Sequence, residues 1–156
     1  MLKLYKPKIY NLWFRQKLLA DDSTMSFNIN YGGTINFPIH KWFAWYNKWI
    51  RNNDPHYYYR YLVNENNKYI GEVAYHFDTN EKIYLLSIII YAPYRHLGYG
   101  KKALSLLCKA AKENGISEVY DNIDIQNNSL TMFLNYGFKQ IYRTNEYIIL
   151  KKTLFS

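Results

Sequence analysis

The most continuous apolar stretch of the chain lies at residues 83–92, IYLLSIIIYA. A run of this length with almost no polar alternation predicts a central strand covered on both faces. Two segments before it, HYYYRYLV and KYIGEVAYHF, are rich in strand-favouring Tyr and Val and are set off by the turns NENN and DTNEK. After it, Leu97, Ala103, Leu104, Leu107, Cys108 and Ala111 recur with a helical rhythm and predict a helix over 98–113, closed by Asn114-Gly115. ISEVYDNIDI follows as a strand. Asn127-Asn128-Ser129 then offers capping chemistry for a short helix through Tyr136, ended by Gly137. FKQIYR and EYIILKKTL predict a closing hairpin around Thr144-Asn145.

Upstream, residues 3–5 read as a short edge strand and 10–19 as a short helix. The turn formers of DDSTMSFNINYGGTINF predict a loop. Pro38 opens a second helix, on which Trp42, Trp45, Tyr46 and Trp49 share one face, expected to pack on a sheet. The order is β, α, α, β, β, β, α, β, α, β, β. It predicts a single α/β (α+β) domain over residues 1–156: a mixed, mostly antiparallel sheet of about seven strands with helices on both faces.

A chain of 156 residues suits one domain. Its formal charge of +8 favours anionic partners. The basic residues are scattered, without a recognition-helix pattern, so nucleic acid is not the expected partner. The single cysteine, Cys108, excludes an internal disulfide, and no Cys/His cluster has metal spacing. Neither a signal peptide nor a membrane span is expected, and a cytoplasmic location follows as an expectation.

The chemistry concentrates in YRHLGYGKK, residues 94–102, which leaves the central strand and enters a helix. The first amides of a helix have no internal partner, and its dipole adds positive potential, so a phosphate suits this place. Gly98 and Gly100 allow a sharp turn and close approach of an anion. Arg95, Lys101 and Lys102 add charge. The Gly-Lys-Ser/Thr ending of a P-loop is absent, and no third Gly completes a dinucleotide fingerprint.

This combination resembles the GNAT superfamily of acyl-CoA-dependent N-acetyltransferases. Arg95-His96-Leu97-Gly98-Tyr99-Gly100 matches its Gln/Arg-x-x-Gly-x-Gly/Ala signature. IGEVAYHF is similar to the family's third strand, and NNSLTMFLNYGF to its Asn-led helix ending in Gly-Phe. The resemblance implies a GNAT fold with acetyl-CoA as co-substrate, lying between two central strands that splay apart. Carried over, the pyrophosphate rests on the backbone of Arg95, His96, Leu97, Gly98, Tyr99, Gly100 and Lys101. The pantetheine arm runs along Ile88, Ile89 and Ile90, and Asn127 or Asn128 contacts it. The implied reaction is direct attack of an amine on the thioester, with the strand amide near Ile90 stabilising the oxyanion. The expected partners are acetyl-CoA and an amine-bearing acceptor, a small molecule or a peptide N-terminus; a homodimer is allowed.

Two positions depart from the family pattern. Phe133 lines the cofactor where many members carry an acidic Tyr. Tyr136 is close but on a different helix face, so the thiolate leaves with help from water, a neighbouring Tyr such as Tyr136 substitutes, or catalysis is weak. Tyr84 stands near the place of a common basic Glu. Glu72, His76, Asp78 and Glu81 remain as candidate bases, with Glu72 and His76 on one strand face. These departures keep open an acyl-CoA-binding module with weak or lost catalysis.

Overall fold

The computed structural model describes residues 1–155. Its strands are β1 (Lys3–Tyr5), β2 (Tyr57–Val63), β3 (Tyr69–Asp78), β4 (Ile83–Ile90), β5 (Glu118–Asp124), β6 (Lys139–Arg143) and β7 (Tyr147–Thr153). Its helices are α1 (Trp13–Ala20), α2 (Trp42–Tyr46), α3 (Tyr99–Glu113) and α4 (Leu130–Asn135). One seven-stranded sheet runs in the order β1-β2-β3-β4-β5-β7-β6. All neighbours are antiparallel except β4 and β5. The expected mixed, mostly antiparallel sheet is therefore present.

Strand alternation sorts the core into two layers. On β3, Val73 and Tyr75 join the layer of α3 and α4, with Leu86, Leu104, Leu107, Val119 and Phe133. Ala74 joins the opposite layer under α1 and α2, with Phe14, Leu18, Tyr59, Tyr61 and Ile89. Leu18, Leu104 and Leu107 have no exposed surface, and burial of each such side chain stabilises the fold by roughly 1.5–3 kcal/mol.

Three local expectations are corrected. Helix α3 begins at Tyr99, because Gly98 sits in the left-handed region at φ 85° and caps it; Leu97 precedes the helix and is exposed. The loop over 21–37 contains a 3-10 helix, Ser26–Tyr31, whose amides bond three residues back. The second helix divides into a 3-10 turn, α2 and a widened π turn, Asn47–Arg51, where the Asn52 amide donates to the Asn47 carbonyl. Its aromatic face packs on the sheet as expected. Trp45 meets the Tyr59 ring edge-on at 4.6 Å, and Trp49 meets Tyr57 at 4.9 Å.

Candidate active site

Strand β4 pairs with β3 along eight positions, from Gly71↔Ile90 to Asp78↔Ile83. It pairs with β5 at one, Leu85↔Tyr120. The sheet therefore opens into a wedge between the distal half of β4 and the distal half of β5. On the β3 side the Tyr91 amide donates to the Ile70 carbonyl. The Ile89 carbonyl also approaches β3 there, so closely that a Cβ on Gly71 would meet it at 2.3 Å. Alternation then turns the polar backbone of Ile88 and Ile90 toward the wedge. The Ile89 side chain is buried in the α1/α2 layer.

Beyond β4, a 3-10 turn at Ala92–Tyr94 delivers the chain into the loop before α3. His96 and Gly98 both take left-handed backbone, at φ 63° and 85°. Among the described residues, the amides of His96, Leu97 and Gly98 donate to no turn or loop acceptor. Those of Tyr99, Gly100 and Lys101 are the first three of α3, which no helical carbonyl can reach. Six consecutive N–H groups thus surround a helix start, an arrangement suited to an anion. A Cβ on Gly98 would meet open space, and one on Gly100 would lie 3.3 Å from the Met132 sulfur of α4. The Tyr99 ring is buried, whereas His96 and Leu97 are exposed.

The guanidinium of Arg95 folds back rather than toward this hollow. It donates to the carbonyls of Ile90 (3.1 Å), Ser23 (3.0 Å) and Thr24 (2.5 Å). Buried Thr24 donates its hydroxyl to Asp21 and accepts the Ala92 amide at 3.0 Å. The segment after α1 therefore braces the loop from behind. The Thr24 side-chain and backbone bonds hold the Asp21 carboxyl below its ordinary range.

On the α4 side, Asn127 folds into a turn, accepting the Ser129 amide and hydroxyl, and Asn128 is exposed. Phe133 is buried and stands edge-on to Phe138 at 5.0 Å. Tyr136 is half-buried, with the Lys152 ammonium 5.2 Å from its ring. Tyr84 lies six residues before Ile90 on β4, roughly 20 Å away along a strand, and packs edge-on to Tyr75. Burial raises its pKa.

Glu72 lies in the opposite layer. Its carboxylate accepts Arg15 Nη1 at 2.6 Å and also the Tyr59 hydroxyl. The Arg15 guanidinium stacks over Trp45 at 4.4 Å. Burial disfavours the Arg15 charge, but Glu72 outweighs it and raises the pKa above the ordinary value. Burial also lifts Tyr59 well above the usual phenol range, so it remains a donor. Asp78 caps its own turn by accepting the Asn80 and Glu81 amides. His76 stands beside Trp49, opposite Leu85, at the β4 residue where the wedge begins. Burial lowers its pKa, keeping it neutral at pH 7. On this same side Ser87 and Asn122 are exposed. Asn30 of the 3-10 helix reaches across to Asp124 of β5 at 3.0 Å.

The sequence matches the model of the acetyltransferase (GNAT) family over residues 9–138. The chain belongs to that family. No curated protein matches the sequence significantly. Among solved structures it is similar to an N-acetyltransferase from Staphylococcus aureus Mu50, at TM-score 0.76 and 18% identity, covering 99% of each chain. It is also similar to spermidine N-acetyltransferase from Vibrio cholerae in complex with CoA and spermine, at TM-score 0.78 and 15% identity, covering 98% of this chain and 95% of that one. A Salmonella typhimurium protein solved with its cofactor acetyl-CoA matches at TM-score 0.76 and 15% identity, over 98% and 94% of the two chains. At these identities the likeness is one of fold, and it agrees with the GNAT fold expected from the signature.

The Arg15–Glu72 pair escaped sequence reasoning because its members stand 57 residues apart. A further carboxyl, Asp121, also escaped it, although in ISEVYDNIDI it alternates with Val119 and Ile123. Among the described residues no cluster of potential metal ligands occurs, and no helix is long and apolar enough to cross a membrane.

Proposed function

We propose that this GNAT protein transfers an acetyl group from acetyl-CoA to a primary amine, of a small molecule or a peptide N-terminus, by direct attack. The observation that carries the reading is the β4–β5 wedge, opened after one ladder pair and leading to six unpaired amides. When bound, acetyl-CoA supplies an acyl group activated as a thioester. The amides of His96, Leu97, Gly98, Tyr99, Gly100 and Lys101 hold its pyrophosphate. Ile88 and Ile90 present backbone to its arm, and the Ile88 amide, which lies nearer the apex of the wedge than that of Ile90, is the donor placed for a developing oxyanion. Asn127, Asn128 and Phe133 form the α4 wall, and Arg95 positions the loop through Ser23 and Thr24.

The amine enters on the α1/α2 side, past Ser87 and Asn122. Glu72 is engaged by Arg15 and Tyr59, so it holds the acceptor side in shape. His76, neutral and level with the start of the wedge, is the titratable group placed to receive the amine proton, directly or through water.

Gly100→Glu tests the reading. The new side chain meets only a flexible Met132 and places negative charge among the cradle amides. Calorimetry should show at least about 100-fold weaker CoA binding with the melting temperature retained. Unchanged affinity would remove the basis for the assignment. Phe133, which has no hydroxyl to donate, favours a second reading, an acyl-CoA-binding module. Release of CoA thiol across a panel of amines separates the two: tight binding without turnover on any amine supports the module.

A further inference from the structure

We propose that Asp121 is the acid that protonates the departing CoA sulfur, in the role a hydroxyl at position 133 would otherwise fill. This inference rests on the acetyl-transfer reading above.

The geometry is as follows. Val119 and Ile123 of β5 are buried in the α3/α4 layer, so alternation puts Asp121, between them, on the same face. Across β5–β7 it stands opposite Leu150, which has no exposed surface. Across β4–β5 the Leu85↔Tyr120 pair brings Leu86, also buried, level with Asp121. Asp121 is therefore the first residue of β5 beyond that ladder pair, at the apex of the wedge. Phe133 belongs to the same layer. A carboxyl among Leu86, Val119, Ile123 and Leu150 has the Asn122 amide as its backbone donor and, among the described residues, no side chain that donates to it. Yet it keeps partial exposure, at the place where the strands part. A carboxyl without a charged partner is expensive to bury, and no side chain among the described residues uses this one.

The electrostatics agree. Burial pushes the Asp121 carboxyl up to about 7, and the Asn122 amide offsets this only in part. The titratable groups of the same layer on the surrounding elements include Cys108 and Tyr99 of α3, Tyr136 of α4, Tyr75 of β3, Tyr84 of β4 and Lys152 of β7. Cys108 is pushed up to about 12 by burial and stays neutral. Burial likewise raises Tyr84. Lys152 brings a positive charge, which lies beside Tyr136. A carboxyl that keeps its proton near neutral pH can give it away during turnover.

The balance closes without any further reactant. The amine lone pair forms the C–N bond, and the C–S bond breaks with its electron pair on sulfur. The Asp121 proton neutralises that sulfur, giving the thiol. The proton lost by the acylated nitrogen passes to His76 and from there returns through water to the Asp121 carboxylate.

The test uses the full chain labelled at aspartate carboxyl carbons, titrated by NMR free and saturated with coenzyme A. Asp121 should titrate near neutrality in the free protein, and CoA should raise its midpoint by at least about half a pH unit, as the thiol arm displaces water. Asp121→Asn should bind CoA within about twofold of wild type and lose about 10²–10⁴-fold in kcat. It should also lose the alkaline fall in kcat that deprotonation of an acid produces, and Asp121→Glu should recover part of both. If CoA binds but leaves the Asp121 titration unmoved, or if Asp121→Asn retains the wild-type pH profile, the assignment of Asp121 fails while acetyl transfer stands. If CoA does not bind the wild-type chain, both readings fall.

Discussion

Glu72 on one face of the sheet and Asp121 on the other are both withdrawn from solvent, the first buried and the second half-buried, and the two are treated in opposite ways. Under α1 and α2, Glu72 is buried with Arg15 and Tyr59 as direct partners and a tryptophan beneath the guanidinium. Under α3 and α4, Asp121 sits among leucine, valine and isoleucine with no side-chain donor among the described residues. The paired carboxylate is fixed in position by its two partners, which suits a structural strut. The unpaired one is poised between charge states, which suits proton transfer. Burial is common to both, so it is pairing that separates the strut from the proton carrier.

The comparison breaks most forcefully at the paired site. Glu72→Ala leaves the Arg15 charge buried and without its partner, and should destabilise the fold by roughly 3–5 kcal/mol. Chemical denaturation measures this. The double change Arg15→Met with Glu72→Met should recover most of the loss, because it removes both charges and keeps apolar volume. If the double variant is as unstable as the single one, the pair contributes more than its own desolvation and the strut reading is too simple.

The unpaired site makes an opposite prediction, in pH. The native pKa of Asp121 is raised to about 7, against an ordinary value of about 4 in the unfolded chain. Between these values the unfolded chain has ionised while the native carboxyl still holds its proton. Stability therefore falls as pH rises through this window and is level on either side of it. After a discount for its partial exposure, the loss is roughly 2–3 kcal/mol. Asp121→Asn should abolish this slope and be the more stable protein at pH 8, whereas Glu72→Gln should not gain stability there. Denaturation curves at pH 4, 6 and 8 decide the matter. A wild-type protein equally stable at all three would mean that Asp121 ionises freely.

This asymmetry also explains what could be read from the chain. The step from strand through turn into the cradle was legible because local signals specify it, whereas the splay of the strands was expected only from the family resemblance. The apolar run of β4 requires cover on both faces, and two glycines within three residues, followed by a helical rhythm, require a turn into a helix start. The first sixty residues were legible only as elements. Nothing local joins Arg15 to Glu72, or Arg95 to the Ser23 and Thr24 carbonyls, since each contact closes 57 or more residues of chain. A 3-10 helix arose where turn formers predicted loop, because Asn30 could anchor it on Asp124 of β5. Asp121 was hidden for another reason. Its alternation with Val119 and Ile123 puts it on the apolar face, but only the parallel pairing of β5 with β4 sets it where the strands part.

A smaller effect falls on the brace behind the cradle. Thr24→Ala removes the acceptor of the Ala92 amide and the donor to Asp21, at about 1–2 kcal/mol. CoA affinity should fall several-fold more than for a control at exposed Ser26. Equal affinities would show that the loop holds its shape without support from the α1 side.

The smallest expected change sharpens the comparison most. Phe133→Tyr adds one hydroxyl to a ring that is only 3% exposed. Its stability effect should stay within about 1 kcal/mol if the oxygen reaches the wedge; trapped against Phe138, it would cost about 1–3 kcal/mol. In the wild-type background the carboxyl of Asp121 already supplies a proton, so turnover should change less than about threefold. In Asp121→Asn the new hydroxyl should restore at least about tenfold of the lost kcat, since either group can serve the same sulfur. Loss of turnover that the added hydroxyl does not restore, in a protein that still binds CoA, would mean that proton delivery is fixed to the β5 side and that α4 contributes only a wall.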